Sequence, residues 1–389
     1  MIIVMKTIQP PSDVITLIRM MNDSGHACYL VGGAVRSALL ALPVSDYDLT
    51  TSASPQETEA VFAQFRIIET GLKHGTVTVL FHGTPYEITT FRKDMAYSDH
   101  RHPDRVAFSS SLREDCARRD FTVNALCWHP DEGLIDFFDG LKDLQEQRIR
   151  CIGLPDDRFN EDALRILRAM RFAARLHFTI EENTLASLIR NRKLLQYVSR
   201  ERIRSELIGL LEAPKPGAVM LACRPVLDEV MPLKEPFADT CRLVDRALPD
   251  ALVRLCLLLP EGDPEPWLRE MTFTAKEIHI AKQILAYRDL SLASVPDIRY
   301  AVCRLDDFGR YAAFRKAYDN VECMAAAREI MARGDCVSLK QLAVNGRDVQ
   351  AAGFRGKQIS TVLEQCLQAV MKDEVRNEKE QLLAYMASL

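Results

Sequence analysis

The rhythm of apolar and polar positions changes once along the chain, near residue 159, and separates two kinds of structure. Before it, short strand-like runs alternate with short helices. Val14, Ile15, Leu17, Ile18 and Met21 recur at helical spacing between Pro10 and Gly25. Tyr29-Leu30-Val31 reads as an apolar strand entering Gly32-Gly33, and a short helix over 34–42 stops before Pro43. A second strand is expected to carry Asp46 and Asp48, and a helix over 55–65 to start at the cap Ser54 with Pro55 in its first turn. Alternation over 75–81 and 86–91 predicts a hairpin turning across residues 82–85, followed by a polar loop over 92–106. Beyond residue 159 the pattern stays helical. Asn160 reads as a helix cap, with Leu164, Leu167, Met170 and Ala174 as the apolar stripe behind it. Breaks are expected at Pro214 and Pro216, over 260–266, near Pro296 and at Gly334-Asp335. The fold class that follows is α+β: a small mixed sheet first, then helices to the end.

The chemistry concentrates in the first strand–turn–helix–strand unit. Residues two apart on a strand share a face, so Asp46 and Asp48 aim at one spot. Like charges that close repel, and the arrangement makes sense with a divalent cation between them; hard carboxylate oxygens suit Mg²⁺. Gly32 and Gly33 let a phosphate approach the backbone, and Arg36 is placed to pair with it. Together these suggest a nucleoside triphosphate site. Glu87 is either a third carboxylate at the metal or a cross-strand partner on a solvated face. Within RRDFTVNALCW, Arg119 is a candidate triphosphate contact. The row Arg165, Arg168, Arg171 and Arg175 reads, on composition alone, as a solvated helix face with an Asp162–Arg165 ion pair. A second basic cluster follows at Arg190, Arg192, Lys193, Arg200, Arg202 and Arg204.

Composition narrows the setting. At 389 residues the chain can bury about two or three cores, and 48% apolar with 27% charged residues is ordinary for a soluble protein. No apolar run suffices for a membrane span, and the first residues are too soon broken by prolines for a secretory signal. Eleven cysteines without a C-x-x-C read as free thiols in a reducing cytoplasm. A net charge of −4 confines any nucleic-acid contact to a local patch.

VGGAVR, the D-Y-D pair, RRDFTVNAL and EDALRILRAMRF stand in the order and spacing of the bacterial-type CCA-adding enzymes, the tRNA nucleotidyltransferase and poly(A) polymerase family. The chain resembles them from about residue 29 to 211, and more loosely in LAVNGRDV and VRNEKEQLL near the end. The resemblance implies a polymerase β-like nucleotidyltransferase head (1–150), a nucleotide-selecting helical neck (151–213), a helical body (214–295) and a tRNA-binding helical tail (296–389). It implies addition of the 3′-terminal CCA to tRNA from CTP and ATP, in the cytoplasm, with tRNA held by its acceptor arm. No membrane partner is implied, and homodimerisation is left open. By motif, Asp46 and Asp48, with Glu87 as a candidate third carboxylate, form the catalytic Mg²⁺ site. Gly32, Gly33, Arg36 and Arg119 would hold the triphosphate, and Asp120 would read the ribose 2′-hydroxyl. Asp162 and Arg165 would read the base, with Arg168 and Arg171 beside the nucleotide. Cytosine and adenine both show an exocyclic amine beside an unprotonated ring nitrogen, which a carboxylate and a guanidinium match. Uracil and guanine place a carbonyl oxygen where that amine would be. Two positions depart from the family: Ser37 replaces the usual Asp, and Ala41 the usual Gly. Alternatives are an A-adding half of a split system, a non-catalytic RNA-binding relative, a poly(A) polymerase and nucleotidyl transfer to a small molecule. The loop after the hairpin disfavours CC-only addition.

Overall fold

The computed structural model describes residues 8–68, 75–94 and 106–389, so the loop expected over 92–106 lies, but for its ends, outside the described residues. The chain divides into two compact units, the first ending at Met231 and the second starting at Pro232.

The first unit opens with helix α1 (Ser12–Asp23), whose Val14, Leu17, Ile18 and Met21 are all fully buried. Nine strands follow among the described residues of its first half: β1 (Cys28–Val31), β2 (Leu49–Thr51), β3 (Arg66–Ile68), β4 (Thr76–Phe81), β5 (Thr84–Thr90), β6 (Arg92–Asp94), β7 (Val106–Phe108), β8 (Cys127–His129) and β9 (Gly133–Ile135). Seven of them form one sheet in the order β3-β4-β5-β2-β1-β8-β9. All neighbours are antiparallel except β2 and β5, so the sheet is mixed as expected. The β4–β5 hairpin turns more tightly than the sequence suggests, on His82 and Gly83 alone. Both have positive φ, 49° and 85°, the two-residue geometry whose twist matches that of the strands. β6 and β7 pair with each other, so both ends of the expected loop are joined by a two-stranded ladder.

The aspartate pair is not on a strand. Residues 42–48 are irregular and β2 begins only at Leu49. Asp48 is still pinned to the sheet, because its carbonyl accepts a hydrogen bond from the Val31 amide at 3.0 Å. Between β1 and β2 lies α2 (Gly33–Leu39). Then come α3 (Pro55–Val61), α4 (Leu112–Ala117) and α5 (Gly140–Gln145). Ser54 caps α3 in a capping box with Glu57, as its sequence indicates.

Helices α6 (Pro155–Glu161), α7 (Arg165–Leu176), α8 (Glu182–Arg190) and α9 (Arg200–Leu211) carry the arginine-rich segments. The expected cap at Asn160 is not one: Asn160 lies inside α6 and donates to the Asp156 carbonyl. The helix ends at Glu161, and Asp162 sits in extended backbone (φ −141°, ψ 102°) before α7 begins. Fully buried Phe159 ties this last turn of α6 into the core, which periodicity alone does not show.

The second unit contains only helical regular structure among its described residues, from Phe237–Arg246 to Lys379–Met386. The expected breaks hold. Pro266 falls in the first turn of Glu265–Glu270, Pro296 in that of Val295–Arg304, and Gly334 ends Met324–Arg333 in the left-handed conformation. Val344, Val349, Val362, Cys366, Leu382 and Met386 form a buried cluster near its end. No described helix is long and apolar enough to cross a membrane, and all eleven cysteines are free.

Ala41 carries a local cost. The α2 C-terminus closes with Leu42 N–H on Ser37 O (2.9 Å) and Ala41 N–H on Ala38 O (3.1 Å), the bonding of a Schellman motif. That motif puts Ala41 at φ 56°, where a Cβ costs about 1 kcal/mol. Ala41→Gly is therefore expected to stabilise the first unit by about 0.5–1 kcal/mol in denaturant unfolding. An unchanged or lower midpoint would remove the strain assignment.

Candidate active site

The turn after β1 is built for close approach. Gly32 has φ 69°, and a Cβ there would lie 3.2 Å from Arg119 Nη1. Arg119 thus lies over the glycine, and any larger residue would displace it. A buried acid behind it holds it in place: Asp115, fully inaccessible, receives Arg119 Nη2 at 3.1 Å and Arg118 Nε at 2.9 Å. Thr50 Oγ1 and the Arg92 amide also donate to it. Burial would raise the Asp115 carboxyl, but the two arginines outweigh it and hold it below its ordinary value.

Asp120 repeats the device one turn further. Its Oδ1 accepts from the Phe121 amide (2.8 Å) and Asn124 Nδ2 (2.9 Å), and its Oδ2 from Arg168 Nε (3.0 Å) and Nη2 (2.7 Å). Burial opposes ionisation here too. Arg168 and Asn124 prevail and bring the carboxyl down to about 2. All four acceptor positions are occupied, so a ribose hydroxyl would have to compete for one.

Arg36 reaches the same place from α2, pairing with Asn124 Oδ1. Burial first, then the nearby Arg175, Arg171 and Arg168, lower it to about 10 against the pull of Asp120. Three guanidiniums face the Phe172 ring: Arg36 at 5.0 Å, Arg168 at 5.3 Å and Arg171 at 4.5 Å. Arg171 also bonds Glu206 of α9 at 2.5 Å, and Gly209 leaves room for it, since a Cβ there would meet Arg171 Cδ at 2.5 Å.

Asp162 and Arg165 do not pair with each other. Arg165 donates to Glu161 Oε2 (2.8 Å) and to the Arg118 carbonyl (2.7 Å). Asp162 receives the Leu164 amide (3.1 Å) and Arg202 Nη2 (3.1 Å). The cause is the helix boundary between them.

These side chains line one cavity of about 370 Å³: Gly32, Gly33, Arg36, Asp48, Arg118, Arg119, Asp120, Asn124, Asp162, Leu164, Arg165, Arg168, Phe172 and Arg202. Its six arginines outnumber its three aspartates. Arg36 Nε, Arg119 Nε and Arg202 Nη1 are buried donors without an acceptor among the described residues. Such donors are costly unless an anion meets them. A second cavity, of about 640 Å³, shares Gly33, Arg36, Asp48 and Phe172 with the first and adds Ser37, Asp46, Arg171, Arg175 and Glu212. The two carboxylates therefore stand where the cavities meet.

Both carboxylates are open to solvent. Asp48 is nonetheless closely surrounded by protein, which raises its carboxyl, against Arg119 and with Asp46. Among the described residues no group of three His, Cys, Asp or Glu side chains forms a metal cage. Glu87 is exposed and lines neither cavity; the β2–β5 register carries it level with Asp48, one step beyond Leu49↔Ile88. Sequence reasoning missed Asp115, Asn124, Phe172 and Glu206, and passed over Arg202 as part of a basic cluster. Phe172 had a local signal, an aromatic at helical spacing from Arg168 and Arg175 with Arg171 beside it, and so did Asp115, three and four residues before Arg118 and Arg119.

Three family models match: "Poly A polymerase head domain" over residues 28–150, "Probable RNA and SrmB- binding site of polymerase A" over 177–224, and a tRNA nucleotidyltransferase second domain over 251–386. The chain is 49% identical to the CCA-adding enzyme of Lacticaseibacillus paracasei over 197 residues, which is 51% of this chain but about half, 49%, of that enzyme. With the CCA-adding enzyme of Levilactobacillus brevis it shares 35% identity over 95% of both chains. The crystal structure of the Bacillus stearothermophilus CCA-adding enzyme in complex with CTP superposes with a TM-score of 0.82, at 30% identity over 98% of both chains.

The depressed Asp120 carboxyl gives a pH prediction. A carboxyl whose folded value lies below its unfolded one contributes stability above the unfolded value and loses it as pH falls through the folded one. Asp120→Asn should cost about 2 kcal/mol at neutral pH, a difference that shrinks between about pH 4 and pH 2. Denaturant titrations of both proteins across that range would test it; a pH-independent difference would count against the Asp120–Arg168 pair as its source.

Proposed function

The chain belongs to the family of the CCA-adding enzymes, and on that premise we propose that it builds the 3′-terminal CCA of tRNA from CTP and ATP, releasing pyrophosphate. One observation carries the reading. A cavity with an excess of arginines, three of their buried donors idle, lies against a paired carboxylate. That is the charge pattern a nucleoside triphosphate and its metal would complete.

In this reading Gly32 and Gly33 admit the triphosphate, and Arg36 and Arg119 neutralise it and stay on the pyrophosphate as it leaves. Asp46 and Asp48 fit Mg²⁺: two adjacent hard carboxylates, with room left for water and phosphate oxygens. When bound, the metal would polarise the α-phosphate and ease loss of the proton from the tRNA 3′-hydroxyl. The new bond joins that oxygen to the α-phosphorus, and the bond to the pyrophosphate breaks. Glu87 stays a candidate third carboxylate. Asp120 orders Arg168 and would reach the ribose only by exchanging a hydrogen bond.

Asp162 accepts the exocyclic amine common to cytosine and adenine, and Arg165 donates to the ring nitrogen beside it. Arg168 and Arg171 hold the wall of stacked cations against Phe172. Residues 1–150 act as the catalytic head, 151–213 as the selecting neck, 214–295 as the body and 296–389 as the tRNA-binding tail. Eleven free cysteines suit a cytoplasmic setting. An A-adding half-enzyme would share the whole nucleotide cavity; relatives named for complete CCA addition favour the full activity.

The test offers tRNAs ending before CCA, after the first C and after CC with CTP, ATP or both, in Mg²⁺. Completion of all three is expected. Extension of the CC-ended substrate alone would make it an A-adding enzyme, and no extension at all would sink catalysis. Asp48→Ala should abolish incorporation while tRNA affinity stays within about twofold, and chelation should silence the wild type; activity surviving either would sink the metal assignment.

A further inference from the structure

Resting on that reading of Asp162, we propose that Arg202 is the positioning residue that makes base selection possible. It holds Asp162 in place, so that a base with a carbonyl where the amine should be is rejected rather than accommodated.

Asp162 lies in extended backbone between two helices, so no helical geometry fixes its side chain. Arg165, the residue expected to accompany it, is bound to Glu161 and to the Arg158 and Arg118 carbonyls instead. Two donors hold the Asp162 carboxylate, the Leu164 amide on Oδ1 and Arg202 Nη2, which lies 3.1 Å from Oδ2 and 3.5 Å from Oδ1. Arg202 is the cationic one, and the ion pair is only partly exposed, 28% for the arginine and 20% for the aspartate. Arg202 comes from α9, the same helix whose Glu206 grips Arg171. One helix thus braces opposite charges at positions one turn apart, Asp162 of the first cavity and Arg171 of the second. Arg202 keeps Nη1 buried without an acceptor while lining the cavity.

Rejection needs the brace more than acceptance does. An amine can draw a loose carboxylate into a hydrogen bond at only an ordering cost. A carbonyl oxygen meeting a loose carboxylate pushes it aside. Meeting a fixed one, it faces a carboxylate oxygen that cannot turn away, two acceptors with no proton between them. Removing Arg202 should therefore admit UTP more than it harms CTP.

The experiment measures kcat and KM for single additions, with CTP and UTP on tRNA ending before CCA and with ATP and GTP on tRNA ending in CC. Arg202→Met should raise KM for CTP and ATP about tenfold with kcat changed less than about threefold, and should lower discrimination against UTP at least about tenfold. Arg202→Lys, which keeps a cation but not the fork, should restore part of it. Adding Asp162→Ala to Arg202→Met should lose no more discrimination than Asp162→Ala alone. If Arg202→Met does not fold, Arg202→Gln takes its place. Should Asp162→Ala relax selection while the Arg202 variants do not, the positioning role is wrong and the base reading stands. Should Asp162→Ala itself leave selection intact, the base reading is wrong. A fall in kcat with unchanged discrimination would make Arg202 a structural residue.

Discussion

Six arginines in one cavity would push each other apart, and the first unit is arranged around preventing that. Two cations 4 Å apart repel by about 4 kcal/mol at the effective dielectric of a protein surface. Four acids answer most of this. Asp115 takes Arg118 and Arg119, Asp120 takes Arg168, Glu161 takes Arg165 and Asp162 takes Arg202, while Glu206 takes the neighbouring Arg171. The Phe172 ring offers its negative face to three guanidiniums at once. The acids offset the cations yet leave Arg36 Nε, Arg119 Nε and Arg202 Nη1 without an acceptor among the described residues, so the cavity still attracts an anion.

The fold supplies this balance from separate stretches of chain. Asp115 and its two arginines belong to α4 and the turn after it, while Arg36 arrives from α2. Arg168, Arg171 and Phe172 come from α7, with Arg202 and Glu206 from α9. The motifs legible in the sequence are those whose parts are neighbours in it, namely the glycine pair, the aspartate pair and the double arginine. Gly32, Gly33, Asp48, Arg118 and Arg119 line one cavity, and Asp46 lines its neighbour. Glu206 and Arg202 were not legible as partners because each acts on a residue from another element, and single-sequence spacing carries no such pairing; Asp115, three and four residues before Arg118 and Arg119, stood at helical spacing from both and was passed over. The same limit explains the helix boundary at Asp162. Local pattern favours one continuous helix from Asn160, whereas burial of Phe159 at the end of α6 makes two.

Several locally set features were read correctly, though the cap expected at Asn160 was not. The capping box at Ser54, the left-handed stop at Gly334 and the prolines in helical first turns all appear in place. So does the alternation of β4 and β5, although the turn between them is shorter than proposed because His82 adopts positive φ beside Gly83. Histidine is enriched in that conformation relative to most residues but adopts it uncommonly, so the shorter turn was not the expected one.

The two departures from the family pattern, Ser37 and Ala41, lie on one side of this arrangement. Neither lines the cavity of Gly32, Arg119 and Asp162, so the charge balance that receives a triphosphate does not include them. Ala41 affects the closing turn of α2 through its backbone alone. Ser37 lines the larger cavity, beside Asp46, Arg171 and Arg175. There a family carboxylate would have added negative charge beside Asp46, and Ser37 adds none. The larger cavity therefore carries one negative charge fewer here than the family pattern would give it.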